Sequence, residues 1–501
     1  MMKKYIYKLL GILLGLLICG SLTANNITVS NTKLTGQNTT DDYTLVQFDL
    51  TWENSWRTSS APNNWDAAWV FVKYRVGSGD WQHATLNSTG HSGGSGTGTT
   101  ITPASDGTGA FIYRSTDGTG TFSITGAQLR WNYGANSVAD NATVDIKVFA
   151  IEMVYVPQGA FTVGSGGTES GSFTNGSWTS GVTIPLSISS ENSLTIEQSA
   201  GNLWGTSSSG NNSIGGTGIL PAAFPKGFSA FYCMKYEISQ QQYVVFLNTL
   251  TQTQANNRKY TGSSYRNAIT GTSVGSYATT KPYVAYNYLS WTDGAAYMDW
   301  SGLRPMTELE FEKACRGTVA PVANEFAWGT ASVAGSAYTL SNSGQNTEGI
   351  ATNYSTSAGN ASYSETDGSI DGPLRVGIFA GHASNTGRIT AGASYYGIME
   401  LSGNLYERPV TVGNATGRAF TGVHGNGALS ANGHANETAW PGLTSGEVIY
   451  ATGSGCRGGV WFYDAAYLRA SDRSYAADTF SSRNGTGGFR GVRVVPELME
   501  P

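Results

Sequence analysis

Charge is what this chain lacks most. Asp, Glu, Lys and Arg make up 13% of its 501 residues, about half of the roughly 25% usual in soluble domains. That poverty excludes a highly charged disordered chain and a coiled coil or helix bundle. The net charge of −5 offers no positive field, so no nucleic-acid partner is expected. Cysteine is limited to Cys19, Cys233, Cys315 and Cys456, and no two have the spacing of a zinc knuckle. Histidine is limited to His83, His91, His382, His424 and His434. Long apolar runs are missing too. Leu9 to Cys19 is the strongest candidate, but its eleven residues fall short of the roughly 20 that span a bilayer. No transmembrane helix is expected once the leader is removed.

Glycine is abundant at 66, aromatics reach 12% and hydrophobic residues 40%. A real core can form, and the balance favours a loop-rich β protein outside the cytoplasm. The length suggests two or three domains.

The first residues read as a targeting segment. Lys3, Lys4 and Lys8 precede the apolar run, and small and polar residues follow it to Ala24. This pattern predicts a signal peptide over 1–24 and an exported protein, whether secreted, periplasmic or at the cell surface. Cleavage removes three lysines and no acid, which makes the net charge more negative. A lipoprotein reading would use Cys19, but Ile18 stands where a small residue is normal. Export leaves three cysteines, an odd number for an oxidising compartment. One pair plus a free buried thiol would fit, with the pairing open.

Residues 26–150 read as an all-β sandwich, immunoglobulin-like in class. Val46, Phe48, Leu50 and Trp52 alternate with polar residues, as a half-buried strand requires. Val70, Val72, Tyr74 and Val76 repeat this, with Lys73 and Arg75 expected to face solvent, and Val144, Ile146 and Val148 repeat it again. The Gly/Ser/Thr-rich stretch at roughly 87–110 reads as a long loop. Trp56, Trp65 and Trp81 fit core packing better than a sugar platform.

Residues 152–496 carry an ordered series of motifs. It opens with Met153 to Gly164 (MVYVPQGAFTVG), then Phe231 to Ser239 (FYCMKYEIS) and Ala295 to Trp300. Leu303 to Gly317 (LRPMTELEFEKACRG) is the most specific piece. Ala327-Trp328-Gly329, Tyr396 to Glu407 (YGIMELSGNLYE), Arg457 to Trp461 (RGGVW) and Gly488-Phe489-Arg490 complete it. Thr307 fits an N-cap for a helix over Glu308–Ala314, with Glu308 and Glu310 in its first turn. Helical spacing of Tyr243, Phe246, Leu247 and Leu250 predicts a second helix over Gln240–Leu250, and Ala295–Trp300 a short third.

The series resembles the formylglycine-generating enzyme (sulfatase-modifying factor) family. The resemblance implies a mixed α/β domain of C-type-lectin-like fold with little regular secondary structure. It also implies an oxidase that converts a substrate cysteine to formylglycine with copper held by two thiolates, soft ligands that suit Cu(I). At the matching positions this chain has Tyr463 and Leu468. Neither supplies a thiolate, so the oxidase activity and its copper are not expected here. Some relatives use non-haem iron, which would need a convergence such as His424 with His434; as exposed loop residues the two need not meet. Asp464 and Asp472 have acid/base chemistry, and pairing with Arg469 or Arg473 is the plainer role. The resemblance further implies structural calcium on hard oxygen ligands. One site would use Glu400 and Glu407 with the carbonyls of Leu401, Gly403 and Leu405, unless Glu407 only pairs with an arginine. The other would use Asn353, Tyr354, Asp371 and Pro373. Arg457, Trp461, Arg469 and Arg473 would line a cleft.

Two function classes follow. The first is a non-catalytic exported binding protein that presents its cleft to a peptide, protein or glycan, as related domains do in bacterial envelope machinery. The second is an enzyme of the same superfamily with altered chemistry in that cleft.

Overall fold

The computed structural model describes residues 26–177, 183–207 and 209–496. The leader expected over 1–24, with Cys19, lies outside the described residues.

Two sheets organise the N-terminal third. In the first, β1 (Thr28–Asn38) pairs with β2 (Tyr43–Arg57), and β2 with a later strand over Gly118–Trp131. The second contains β3 (Asp66–Val76), β4 (Thr99–Pro103) and β5 (Ala110–Arg114); the Gly118–Trp131 strand of the first sheet is then β6. The residues expected to point inward on these strands do so, except Val76 at the end of β3, which is 46% exposed. Val46, Phe48, Leu50 and Trp52 of β2 share one buried cluster with Ala68, Val70, Val72 and Tyr74 of β3, so the two sheets pack face to face. The stretch expected as a loop over 87–110 instead contains β4, which hydrogen-bonds β5 from Thr99↔Arg114 to Pro103↔Ala110. Its Thr-rich sequence is compatible with a strand, and the surrounding glycines hid it.

The second sheet does not end with the N-terminal third. Strand β7 (Val144–Val156) pairs with β3 from Val76↔Val144 to Asp66↔Val154, and its last four residues also pair with β8 (Phe231–Met234). The sheet continues through the C-terminal strand Gly491–Val494 to Arg304–Pro305. The boundary expected near 150 therefore falls inside one strand shared by both halves. Lys235, next after β8, reaches Asp66 on β3 at 3.4 Å and Glu152 on β7 at 3.1 Å, all three buried. Trp52 Nε1 and Ser55 Oγ donate to the same Asp66 carboxylate.

This continuity corrects the reading of Lys73. Expected to face solvent, it is 1% exposed, and its Nζ donates to the Gly427 carbonyl at 2.6 Å. The second face of β3 carries Ala67, Trp69 and Phe71 into the larger core of the C-terminal region, which covers Lys73 as well. Burial pushes the Lys73 ammonium down to about 7, with Asp299 opposing.

Helices are few and short. The expected ones appear as α1 (Gln240–Leu247), α3 (Trp291–Trp300) and α4 (Glu308–Arg316); α2 (Gln252–Arg258) was not anticipated. Ser239, Thr251, Ser290 and Thr307 each accept the backbone N–H three residues on, and the residue there bonds back. Four such capping boxes explain why helices of seven to ten residues persist in a Gly-rich chain.

Candidate functional site

Helix α4 anchors the region where the motifs converge. Every residue in it is buried, its charged residues included. Arg457 donates to Glu308 at 3.0 Å and to Glu312 at 2.9 Å. Arg473 donates to Glu308 at 2.7 Å, and Arg316 to Glu312 and Glu325. Thr411 Oγ1 and the Val412 N–H also bond Glu308, and Ser471 Oγ bonds Glu312. Burial alone would raise the Glu308 carboxyl, but Arg473 and Arg457 outweigh it and hold it below the usual range. A buried pair is tolerable only when its remaining lone pairs and protons find partners, as most do here.

Arg457 and Arg473 were expected to line a cleft. Both are instead closed inside this network, at 1% and 0% exposed, because the carboxylates they neutralise lie in the core. Arg469 is half-buried and donates to Asn324 Oδ1 at 3.1 Å. Asp472 does not pair with an arginine: Ser474 donates to it through both N–H and hydroxyl, and burial raises its carboxyl. Asp464 is exposed.

Between Arg457 and Arg473 the chain returns to the surface. Gly458 and Gly459 have φ of +86° and +74°. A Cβ at Gly459 would stand 2.5 Å from Leu468, so glycine is required for this turn. Beyond it, Trp461, Phe462 and Tyr463 line a cleft of about 700 Å³ together with Tyr265, Tyr406, Tyr475 and Phe480. Asp371, Asp478, Ser482, Asn484 and Thr486 supply its polar groups. Most neighbouring rings meet steeply, Trp461 and Phe462 at 67°, Phe462 and Tyr463 at 74°, Tyr406 and Tyr463 at 74°, whereas Tyr265 and Trp461 meet at 45° and Tyr463 and Tyr475 at 25°. Trp461 is fixed by its Nε1 donating to the Gly485 carbonyl at 3.0 Å. Phe462 is 41% exposed and Tyr265 42%.

Of the four expected cleft residues, only Trp461 lines this cleft. Tyr463, at a family thiolate position, also lines it, whereas Leu468 is buried beside Phe326, Trp328 and Tyr363. The sequence reading missed Tyr265, Tyr406, Phe462, Tyr475, Phe480 and Asp478. For Phe462, Tyr475 and Phe480 the signal was the aromatic density after Arg457-Gly458-Gly459; Tyr265 and Tyr406 are brought to them by tertiary packing.

Cys233, Cys315 and Cys456 are all free and buried, so the pair considered from the odd count does not form. Burial pushes the Cys233 and Cys456 thiols up to about 12 and Cys315 higher still. His424 accepts the Val494 N–H, while His434 lies against Arg258. Among the described residues no group of three or more His, Cys, Asp or Glu side chains is placed to hold a metal ion.

The two expected calcium sets differ. Glu400 accepts the Gly377 N–H through one oxygen, and Glu407 pairs with Arg490 at 2.7 Å. The second oxygen of each is buried without a hydrogen-bond partner. Burial raises Glu400 to about 7. It also raises Glu237, which bonds Asn404 and the Leu405 N–H, and to which Glu407 and Glu400 add repulsion. Three carboxyls thus surround a turn where Arg490 pairs with one of them, and the two orphaned oxygens fit a hard cation. The second set does not fit. Asn353 Nδ2 donates to the Ala337 carbonyl, the Tyr354 hydroxyl donates to the Phe379 and Thr390 carbonyls, and the Pro373 carbonyl accepts from Arg266. Asp371 lines the aromatic cleft instead.

Comparison with known proteins places these features. Residues 143–495 match the family described as sulfatase-modifying factor enzyme 1-like domain. Among solved structures, Treponema denticola variable protein 1 is similar at 14% identity and a TM-score of 0.33, with 69% of this chain and 96% of that one covered. No curated protein matches the chain.

Proposed function

This chain belongs to the sulfatase-modifying factor enzyme 1-like domain family, and on that premise we propose that it is an exported, non-catalytic binding protein whose aromatic cleft receives a ligand. The carrying observation is the cleft lining. Where the resemblance puts copper thiolates, Tyr463 joins an aromatic wall and Leu468 is core, and the cleft lining contains no cysteine. Aromatic walls with a few placed polar groups are the usual lining of a ligand pocket. We also assign a structural calcium to the turn Glu400–Glu407, supported by the two orphaned carboxylate oxygens. A hard dication there would relieve the repulsion among Glu237, Glu400 and Glu407.

Elemental analysis of the purified mature protein, with a cysteine-peptide oxidation assay under added copper, tests this reading. Calcium without stoichiometric copper or iron, and no aldehyde product, is expected. Stoichiometric copper or iron, or aldehyde formation, would overturn it.

A further inference from the structure

We propose that the cleft recognises a cationic side chain, arginine or lysine, presented by a peptide segment of a partner protein. The inference rests on the binding reading above and names its ligand.

Four observations carry it. The first is charge. The cleft lining holds Asp371 and Asp478 and no Lys, Arg or His. Of the cations at its margin, Arg266 and Arg483 are paired elsewhere, and Arg408 is buried, 1% exposed. Arg266 bonds Glu348 and the Pro373 carbonyl. Arg483 pairs with Asp293 at 2.7 Å. Arg408 lies against Phe480 and bonds its carbonyl and Ser454, with Nε and Nη1 buried and unpaired, so it stays within the fold and does not line the cleft. Asp478 is held in place by the Phe480 N–H and Asn211 Nδ2, both neutral donors. Neither carboxylate forms an ion pair among the described residues.

The second is shape. Consecutive rings that meet at 67° and 74° make walls rather than the flat platform on which a sugar ring stacks. Walls of π faces attract a cation through the ring quadrupole, more strongly as water is excluded. The third is exposure. Phe462 and Tyr265, each more than 40% exposed, stand at the same opening. Tyr265 is held there at φ +52°, beside Arg266 at +63°. Backbone strain of this kind collects at ligand sites. The fourth is an unused group: the Tyr406 hydroxyl, on a residue 5% exposed that lines the cleft, has no hydrogen-bond partner. A buried polar atom left unpaired is costly, and a ligand N–H that bonds it recovers that cost.

A peptide is favoured over a free amine by the rim. Ser482, Asn484 and Thr486 offer donors and acceptors beyond the rings, suited to a backbone on either side of the inserted side chain.

The test is selection of a random-sequence displayed peptide library on the purified mature protein, with the Phe462→Ser variant as the control target. Phe462 is exposed, so its loss leaves the fold intact. The expected result is enrichment of Arg and Lys and depletion of Asp and Glu on the wild type alone. For a selected peptide, replacing Arg by citrulline, or combining Asp371→Asn with Asp478→Asn, should weaken binding about tenfold or more. Enrichment of neutral or acidic sequences, equal binding of the citrulline peptide, or stronger competition by neutral oligosaccharides would overturn the cationic assignment and leave the binding reading standing. No enrichment over Phe462→Ser would overturn both.

Discussion

Arg457 and Arg473 bracket the cleft-forming segment and behave in the opposite way to the residues between them. The two arginines run inward to Glu308 and Glu312 and are buried with every charge opposed. Phe462 and Tyr463, a few residues along, stand in a cleft whose lining holds Asp371 and Asp478 but no cationic side chain. One short segment thus supplies both a frame and a recognition face. The difference teaches that residues shared with a family motif need not lie at a site. Here the charged motif residues Arg457 and Arg473 report the scaffold, whereas Trp461 and Tyr406 of the motifs join Phe462, Tyr463 and Tyr475 in the cleft wall.

The largest effect that would break this comparison is in the frame. Glu308→Ala leaves two buried guanidinium groups without their main partner, and a loss of about 3–5 kcal/mol is expected by denaturant unfolding. A loss under about 1 kcal/mol would show that the network is not structural.

The shared sheet comes next. Lys235→Met strips the counter-ion from Asp66 and Glu152, whose carboxyls burial already raises. Removing the cation raises their folded pKa further above the unfolded value. The folded state then holds protons the unfolded state has lost, so stability is kept in acid and lost as pH rises. The variant should therefore lose more thermal stability at pH 8 than at pH 5, and a uniform loss would count against the mechanism.

A smaller effect concerns calcium. Glu400 is raised to about 7 in the fold against about 4.3 unfolded. Its contribution is present below pH 4 and lost as pH rises toward 7. Added calcium should raise the melting temperature near neutral pH, chelation should lower it, and Glu400→Gln should abolish both responses. The smallest effect belongs to the recognition face. Phe462→Ser should change stability by no more than about 0.5 kcal/mol.

Several elements were legible in the sequence because their signals are local. The alternation in β2, the Thr307 cap of α4, the helical spacing in α1 and the motif series all depend on spacing. Lys73 was misread because a second face covered by residues distant in sequence leaves no trace in local alternation. Arg457 and Arg473 were assigned to a cleft for the same reason, since Glu308 lies about 150 residues earlier. The cleft itself joins Tyr265, Asp371 and Tyr406 to the 461–486 segment, a convergence that tertiary packing alone creates.

The most direct test of the account is a binding titration of one selected cationic peptide against wild type and Phe462→Ser, each first shown to unfold at the same temperature. The account predicts saturable binding to the wild type and a loss of about tenfold or more in the variant. Equal affinity in the two proteins would contradict it.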